Sequence, residues 1–407
     1  MKIRPSASAS PAPAPPPRAR RVLHVFTFFR PDFTGEGIYL TNLMPHLQAQ
    51  GFANDVLVQN TDPQGARVVS CTAPAPHTIH YLVARQKALR HLKLSWWLLR
   101  HGRDYDLVHF HSFSDRYFLG SLVARLLGAR VVQSSTLDDG LGSVLASYRA
   151  LFRPVIRRLF RLVDASVSIS PKLHADGAGV LPESRRHLIP QGVSLPADPR
   201  GEKENLRRGA GLDASDFVLV FVGGICERKA PHELVEGLIE LHPRHPRLHL
   251  FLVGPDLEDE YAARLRRRVS EAGLAERVHF TGFSSEPSRY YGMADAMVFA
   301  STKEGFGNVL LEAMAHALPT VARRLPGVTD YFIDSGRTGL LFDDRAGYVA
   351  AVETLLADPD LARRLGDAAR SEVKARFRLE AIGALYGGLY EELLGGASRC
   401  AGSASSS

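Results

Sequence analysis

Only three cysteines, Cys71, Cys226 and Cys400, occur in 407 residues. They are odd in number, far apart and lack metal-ligand spacing, which argues against a disulfide framework or a zinc site and for a reducing, cytoplasmic setting. Nor does any stretch approach the roughly twenty consecutive apolar residues that a bilayer-crossing helix needs. Residues 1–20 are mostly Ala, Pro and Ser with scattered Arg and lack the apolar core of a secretory signal; they are expected to be a disordered tail, as are residues 395–407. The formal net charge of +7 is modest for this length and gives little support to nucleic acid as a partner.

What the chain does have is alternation. Strand-like runs at 22–27, 55–59, 107–111, 130–134 and 165–169 are separated by helix-like runs. The second half repeats the style at 217–222, 248–253, 277–281, 296–300 and 320–323. That rhythm predicts an α/β protein with parallel sheets. Residues 191–204, rich in Pro, Gly and charge, read as a linker between two Rossmann-like domains that face each other across a cleft. The expected boundaries are 21–196 and 204–378, followed by an amphipathic terminal helix at 379–394.

In open α/β sheets ligands gather at the carboxyl ends of the strands, so the loops leaving those ends are the candidate sites. The most informative is Glu304-Gly305-Phe306-Gly307, which follows a buried strand and leads through Asn308-Val309-Leu310-Leu311 to Glu312-Ala313-Met314-Ala315 on a helix. Gly305 and Gly307 let the backbone come close to a ligand, and the helix N-terminus behind them favours phosphate. Two carboxylates, Glu304 and Glu312, suit sugar hydroxyls. This pattern resembles the retaining glycosyltransferases of family 4, whose signature is two glutamates separated by seven residues in EGFG…EAMA. The resemblance spans about Arg21 to Leu394 and implies the GT-B fold, with an acceptor-binding first domain, a donor-binding second domain and a last helix that crosses back.

The resemblance assigns roles to these loops. Gly223, Gly224 and Cys226-Glu227-Arg228-Lys229 follow the first strand of the second half and look like the family's phosphate-gripping loop. Arg228 and Lys229 would stabilise charge on the departing nucleotide in place of a metal. Where many relatives carry an Arg, this chain has Gly224, so one phosphate contact is expected to be missing. Glu312 would hold the ribose and Glu304 the transferred sugar, with Gly305, Phe306 and Gly307 alongside. Gly282 and Phe283 resemble the lining of the nucleobase pocket. In the first half, Pro31-Asp32-Phe33-Thr34-Gly35-Glu36-Gly37 enters a helix. The family has adjacent glycines there, whereas here Glu36 stands between Gly35 and Gly37. His109 and His111 end a strand and could meet a sugar, or could be structural. Where the family places a histidine after the next strand, the chain has Asp138 and Asp139, either of which could orient a hydroxyl. Asp104-Tyr105-Asp106 precedes its strand and reads as a solvated turn, and no metal is expected.

The expected activity is transfer of a sugar from a nucleotide-diphosphate sugar to a hydroxyl acceptor with retention, in glycan, polysaccharide or glycolipid synthesis. A nucleotide-sugar epimerase and a non-catalytic sugar- or lipid-binding protein of the same fold remain as rivals; a phosphorylase would need a cofactor lysine motif, and none is seen. The basic residues Arg149, Arg153, Arg157, Arg158 and Arg161 fall on one helical face opposite Leu151, Phe152, Val155, Ile156, Leu159 and Phe160. A second patch runs through Arg85, Lys87, Arg90, His91, Lys93, Trp96, Trp97 and Arg100. Either the apolar stripes are buried and the arginines solvated, or these helices rest on anionic lipid, which would put the enzyme at the inner face of the membrane near a lipid-linked acceptor.

Overall fold

Apolar runs of four to seven residues that are buried on both faces belong in parallel sheets covered by helices on each side. The computed structural model describes residues 19–27, 29, 35–59, 67–82, 87–111, 117–136, 140–198 and 200–395. Its strands are β1 (Arg20–Phe26), β2 (Phe52–Val58), β3 (Val68–Cys71), β4 (His77–Tyr81), β5 (Leu107–His111), β6 (Arg130–Ser135), β7 (Ala165–Ser168), β8 (Arg186–Leu188), β9 (Phe217–Val222), β10 (Leu248–Val253), β11 (Val278–Gly282), β12 (Ala296–Phe299), β13 (Thr320–Arg323) and β14 (Leu340–Phe342). They form an eight-stranded sheet, ordered β3-β4-β2-β1-β5-β6-β7-β8, and a six-stranded sheet, ordered β11-β10-β9-β12-β13-β14. Every pairing is parallel except β3 with β4.

The helices are α1 (Gly35–Ala49), α2 (Lys87–His101), α3 (Phe118–Leu126), α4 (Leu141–Ser147), α5 (Arg153–Phe160), α6 (Pro171–Asp176), α7 (Lys203–Gly209), α8 (Pro231–Leu241), α9 (Asp259–Glu271), α10 (Ser288–Met293), α11 (Asn308–Ala315), α12 (Arg345–Ala357), α13 (Pro359–Arg376) and α14 (Leu379–Leu393). Each sheet carries a core on both faces. On β10, Leu248, Leu250 and Leu252 point into one cluster while Phe251 and Val253 point into the other. Truncating such a residue, Leu250 for example, to Ala would cost about 2–5 kcal/mol through lost transfer energy and the cavity left behind.

The ten strands expected from the sequence are all present. Four more, β3, β4, β8 and β14, have three to five residues and sit at or next to sheet edges, where one wet face breaks the apolar run. β3 alternates exposed and half-buried residues along its whole length. Asp104-Tyr105-Asp106 is not the solvated turn expected. Tyr105 is buried and its hydroxyl donates to Asp55, while Asp106 accepts from the backbone N–H of Arg21.

The chain crosses between the halves twice, at one place. Val193 and Arg378 form a parallel bridge, with the Val193 N–H donating to Phe377 and the Leu379 N–H donating to Val193. From there α14 packs against α1 of the first half. A Cβ on Gly383 would come within 2.7 Å of His46 Cβ, so this helix crossing is closer than any other residue allows.

Candidate active site

In the second half, the loops after β9 and β12 meet above the sheet. Gly223 follows β9, and a Cβ on Gly254, the residue after β10, would lie 2.0 Å from the Gly223 carbonyl. The loop after β9 is therefore pressed flat, and Ile225 pairs with Asp256. It continues into a single 3₁₀ turn, Glu227–Lys229, before α8. Lys229 Nζ donates to Glu304 Oε1 at 2.5 Å, and Arg228 Nη1 lies 3.0 Å from the same oxygen and donates to the Lys303 carbonyl at 2.7 Å. Glu304 and Lys229 are mostly covered, whereas the Arg228 side chain is 41% exposed. One carboxylate thus holds two cations at a strand end. At Gly224, where many relatives carry an Arg, a Cβ would meet the Leu257 side chain, which is 63% exposed and would have to swing aside.

Gly307 caps α11 with φ of 106°, a left-handed conformation that glycine adopts without a steric penalty. No side chain caps that helix, and Asn308 Oδ1 is buried without a partner beside it. An uncapped helix start beside two cations suits a diphosphate. The Phe306 side chain is not part of the site: it packs with Phe332 and Phe377 in the core, leaving only its backbone near the loop.

Glu312, one turn into α11, accepts a 2.8 Å hydrogen bond from the Tyr291 hydroxyl. Burial pushes its carboxyl above the usual range, and the Tyr291 bond pulls it part of the way back. It lines a cavity of about 280 Å³ between the halves, together with Gly35, Tyr39 and Asn42 of α1, Asn308, and Ser285-Glu286-Pro287-Ser288. Gly282 and Phe283, expected to line this space, do not. Gly282 turns with φ of 70° and accepts from Gly254, Phe283 is half exposed, and the wall is built a few residues further on.

In the first half, Gly35 faces the cleft, 3.9 Å from Asn308 Nδ2 as measured from a built Cβ. Gly37 is buried, and its carbonyl accepts from the Thr41 hydroxyl. His109 does not reach a ligand: it is fully buried, with Nδ1 on the Tyr390 hydroxyl and Nε2 on Ser134 Oγ. His111, assigned to catalysis from the sequence, is also buried. Both of its nitrogens are taken, Nε2 by His24 at 2.9 Å and Nδ1 by Glu36 at 3.1 Å. Of the pair His111 and Glu36, Glu36 is the more exposed, at 16% against 5%. Asp138 and Asp139 lie outside the described residues, as does Pro31-Asp32-Phe33-Thr34.

His24, His109 and His111 bring one nitrogen each within 4.8 Å, the one such grouping among the described residues. All six ring nitrogens already have hydrogen-bond partners, so a metal would have to break the network it entered. Burial holds all three imidazoles neutral: His24 is pushed down to about 4, and His109 and His111 well below their ordinary value.

Lys172 at the start of α6 was not singled out from the sequence. Its Nζ is 3.5 Å from the Glu304 carbonyl, and its backbone N–H donates to Gly327, so it bridges the halves. It follows β7, and the strand-end rule applied to that strand would have found it.

The basic helix of the first half departs from expectation as well. Residues 150–152 form a 3₁₀ turn and α5 begins only at Arg153. Phe160 is buried, but Leu151, Phe152 and Val155 are exposed, at 82%, 51% and 59%. Leu92, Trp96 and Leu99 of α2 and Leu119, Leu122 and Leu126 of α3 are exposed too. The contribution of α3 was not seen in the sequence, because its apolar residues run around the helix.

Residues 34–192 match the family described as Glycosyl transferase 4-like domain, and residues 202–372 match Glycosyl transferases group 1. The D-inositol 3-phosphate glycosyltransferase of Corynebacterium jeikeium is 27% identical over 404 residues, covering 89% of this chain and 92% of the relative. Among solved structures, the sucrose-phosphate synthase of Thermosynechococcus elongatus superimposes with a TM-score of 0.76 at 25% identity, covering 93% of this chain and all of that one. Anabaena HepE, solved with UDP and glucose, gives a TM-score of 0.74 at 18% identity, covering 92% of this chain and all of that one.

Proposed function

The chain belongs to the group 1 glycosyl transferases, with their GT-B architecture of two facing sheets, and from that premise we propose that it transfers a hexose with retention, without a metal, to a hydroxyl acceptor. The observation that carries this reading is Glu304 held by Lys229 and Arg228 at the uncapped start of α11, with Glu312 one turn further on in the cavity. The nucleoside fits the cavity, its ribose hydroxyls donating to Glu312. The diphosphate takes the α11 amides and the two cations, and Glu304, released from them, holds the sugar.

Bond breaking leaves an electron pair on the diphosphate, which Lys229 and Arg228 stabilise where charge develops. The acceptor oxygen attacks the anomeric carbon from the same face, and the leaving phosphate takes the hydroxyl proton. Cleft closure, supported by the Lys172 bridge, would keep water from hydrolysing the donor. The HepE complex makes UDP the first nucleotide to try. Thermal shift with UDP, GDP and ADP selects the base, since a ligand bound only by the native state raises the melting point. Donor labelled in the sugar then tests transfer. Label appearing on an acceptor supports the reading; nucleotide affinity without turnover would favour a binding protein, and isomerised free sugar an epimerase.

The exposed apolar residues of α2, α3 and the 150–160 segment, beside Arg149, Arg153 and Arg157, support peripheral contact with an anionic membrane and hence a lipid-linked acceptor. No helix among the described residues is long and apolar enough to cross a membrane.

A further inference from the structure

Hydrogen-bond counting fixes where one proton sits in the first half. Asn54 Nδ2 donates to the Phe52 carbonyl, which can only accept, so Asn54 Oδ1 must be the atom facing His24 Nε2. His24 Nε2 therefore carries a hydrogen. Since His24 is neutral, its Nδ1 is a lone pair and accepts from His111 Nε2–H. A neutral His111 then presents a lone pair at Nδ1 to Glu36 Oε1. Two acceptors cannot bond each other, so a proton lies between them. The other carboxyl oxygen, Oε2, accepts from the Thr136 hydroxyl.

Building on the transferase reading above, we propose that Glu36 and His111 form a proton-sharing pair in which Glu36 hydrogen-bonds the donor substrate in the cleft and His111 positions Glu36 and holds its proton from behind. Glu36 stands where the first half faces the donor loop. The preceding residue, Gly35, abuts Asn308, and the Glu36 side chain keeps 16% of its surface exposed. Each carboxyl oxygen has one bond to the protein and retains a lone pair for a substrate group.

The pair explains how an acid is tolerated in a loop that faces a diphosphate. With the proton on Glu36 and His111 neutral, the pair carries no net charge. Loss of that proton puts a full negative charge beside the donor. It also leaves two lone pairs facing each other somewhere along Asn54, His24, His111 and Glu36, because the Phe52 carbonyl prevents Asn54 from turning. Both effects retain the proton. Burial, opposed by the Thr136 bond, accordingly pushes Glu36 up to about 7.

The groups around the pair do not compete for this proton. His109 beside His111 is neutral, Tyr39, Tyr386 and Tyr390 are phenols raised by burial, and Asp55 and His77 act on His24 at the far end of the chain. A group that must be protonated for binding gives full affinity below its pKa and loses it as pH rises above. Affinity for a nucleotide sugar should fall by up to about tenfold per pH unit above about 7.

The test is calorimetric affinity from pH 6 to 9 for UDP-glucose, GDP-glucose and ADP-glucose, whose diphosphates do not ionise in this range, using the parent protein, E36Q and H111A. The glutamine of E36Q imitates the protonated acid, with its amide NH₂ facing His111 Nδ1 and its carbonyl facing Thr136. For a sugar nucleotide that binds, parent affinity should fall from pH 7 to pH 9 while the E36Q profile, whatever its level at pH 6, stays flat; H111A should weaken binding at every pH. Parent binding that does not vary with pH, or an E36Q profile that falls like the parent's, overturns the inference alone. A complete loss of binding by E36Q at pH 6 with unchanged melting would also overturn it, since the carboxylate would then be the form required. Absence of binding by all three sugar nucleotides at every pH overturns the transferase reading and this inference with it.

Discussion

The partner exchange at Glu304 has a consequence that separates binding from chemistry. Without ligand, Lys229 and Arg228 are both bonded to Glu304, so a diphosphate must compete with that carboxylate for them. In Glu304→Gln the negative charge is gone and the competition with it. The Lys229 and Glu304 side chains are 15% and 11% exposed, so their pair lies between a surface pair of about 0–1 kcal/mol and a buried pair whose rupture costs about 3–5 kcal/mol. The Arg228 contact, at 41% exposure, adds little after solvent screening. Taking about 1–2 kcal/mol for the whole, E304Q should bind UDP roughly 5- to 30-fold more tightly than the parent. Its ligand-free form should melt a few degrees lower, by about 2–4 °C per kcal/mol, because Lys229 has lost its counter-ion. Sugar transfer should fall instead, by about 10- to 100-fold in kcat, since a hydrogen bond from a sugar hydroxyl to a charged acceptor is worth about 1.5–3 kcal/mol. Calorimetry with UDP and a transfer assay on the same preparation measure both quantities. UDP affinity that drops in step with kcat would refute the reasoning, because Glu304 would then be supporting the diphosphate site rather than competing for its cations.

Glu312→Ala leaves the Tyr291 hydroxyl, in a side chain only 1% exposed, without its acceptor, and should cost about 1–3 kcal/mol of stability, whereas Glu312→Gln retains an acceptor and should melt close to the parent. Both should bind UDP at least about tenfold more weakly, and equal melting of the two variants would remove the Tyr291 argument. His24 is neutral in the folded protein down to about pH 4 but titrates near 6.5 when unfolded, so the unfolded chain binds more protons between those values and stability rises with pH across that window. The full span is worth roughly 3 kcal/mol, and urea midpoints of H24Q against the parent at pH 4, 5, 6 and 7 should show a shallower acid loss; parallel curves would exclude His24 as a source. Charge reversal in R153E/R157E should reduce sedimentation with phosphatidylglycerol vesicles by several-fold while sparing binding to neutral ones, and unchanged sedimentation would return α5 to a solvated surface.

The parts legible in the sequence were those governed by one-dimensional rules. The central strands announce themselves as short apolar runs because both faces are buried, and Glu304, Arg228 and Lys229 lie at strand ends where ligand loops belong. The histidines were not legible in that way. His109 and His111 alternate along β5 with Val108 and Phe110, yet both end up under α1 and α14, and whether a ring nitrogen is free depends on Asn54, Ser134 and Tyr390, which come from three other elements. Glu36 registered only as an interruption between two glycines, since its significance needs His111 behind it. The helix at 149–161 misled in another way. Periodicity places apolar residues on one side, but the 3₁₀ turn before Arg153 rotates Leu151 and Phe152 away from Phe160, so one stripe became a buried end and an exposed end.

The two chain crossings explain why the site is divided as it is. Val193 and Arg378 lie side by side and are hydrogen-bonded through their neighbours, so the halves share one pivot rather than two separated tethers. Beyond it, α14 is covalently the end of the second half but is packed on the first, with Gly383 and Gly387 admitting His46 and Gln50 of the α1 region and Tyr390 bonded to His109. A rotation about that pivot leaves α1, α14 and the histidine chain together as one body. The contacts it must change include Gly35 against Asn308, Lys172 against Glu304 and Gly327, and the buried packing of Ile169 and Leu173 in the second half's core cluster. The partners of Glu36, His111 and Thr136, both belong to the first half, so the bonds of the proposed pair do not span the cleft. On the proposed reading the proton-bearing wall belongs to one half and the charge-exchanging wall to the other, with the donor held between them.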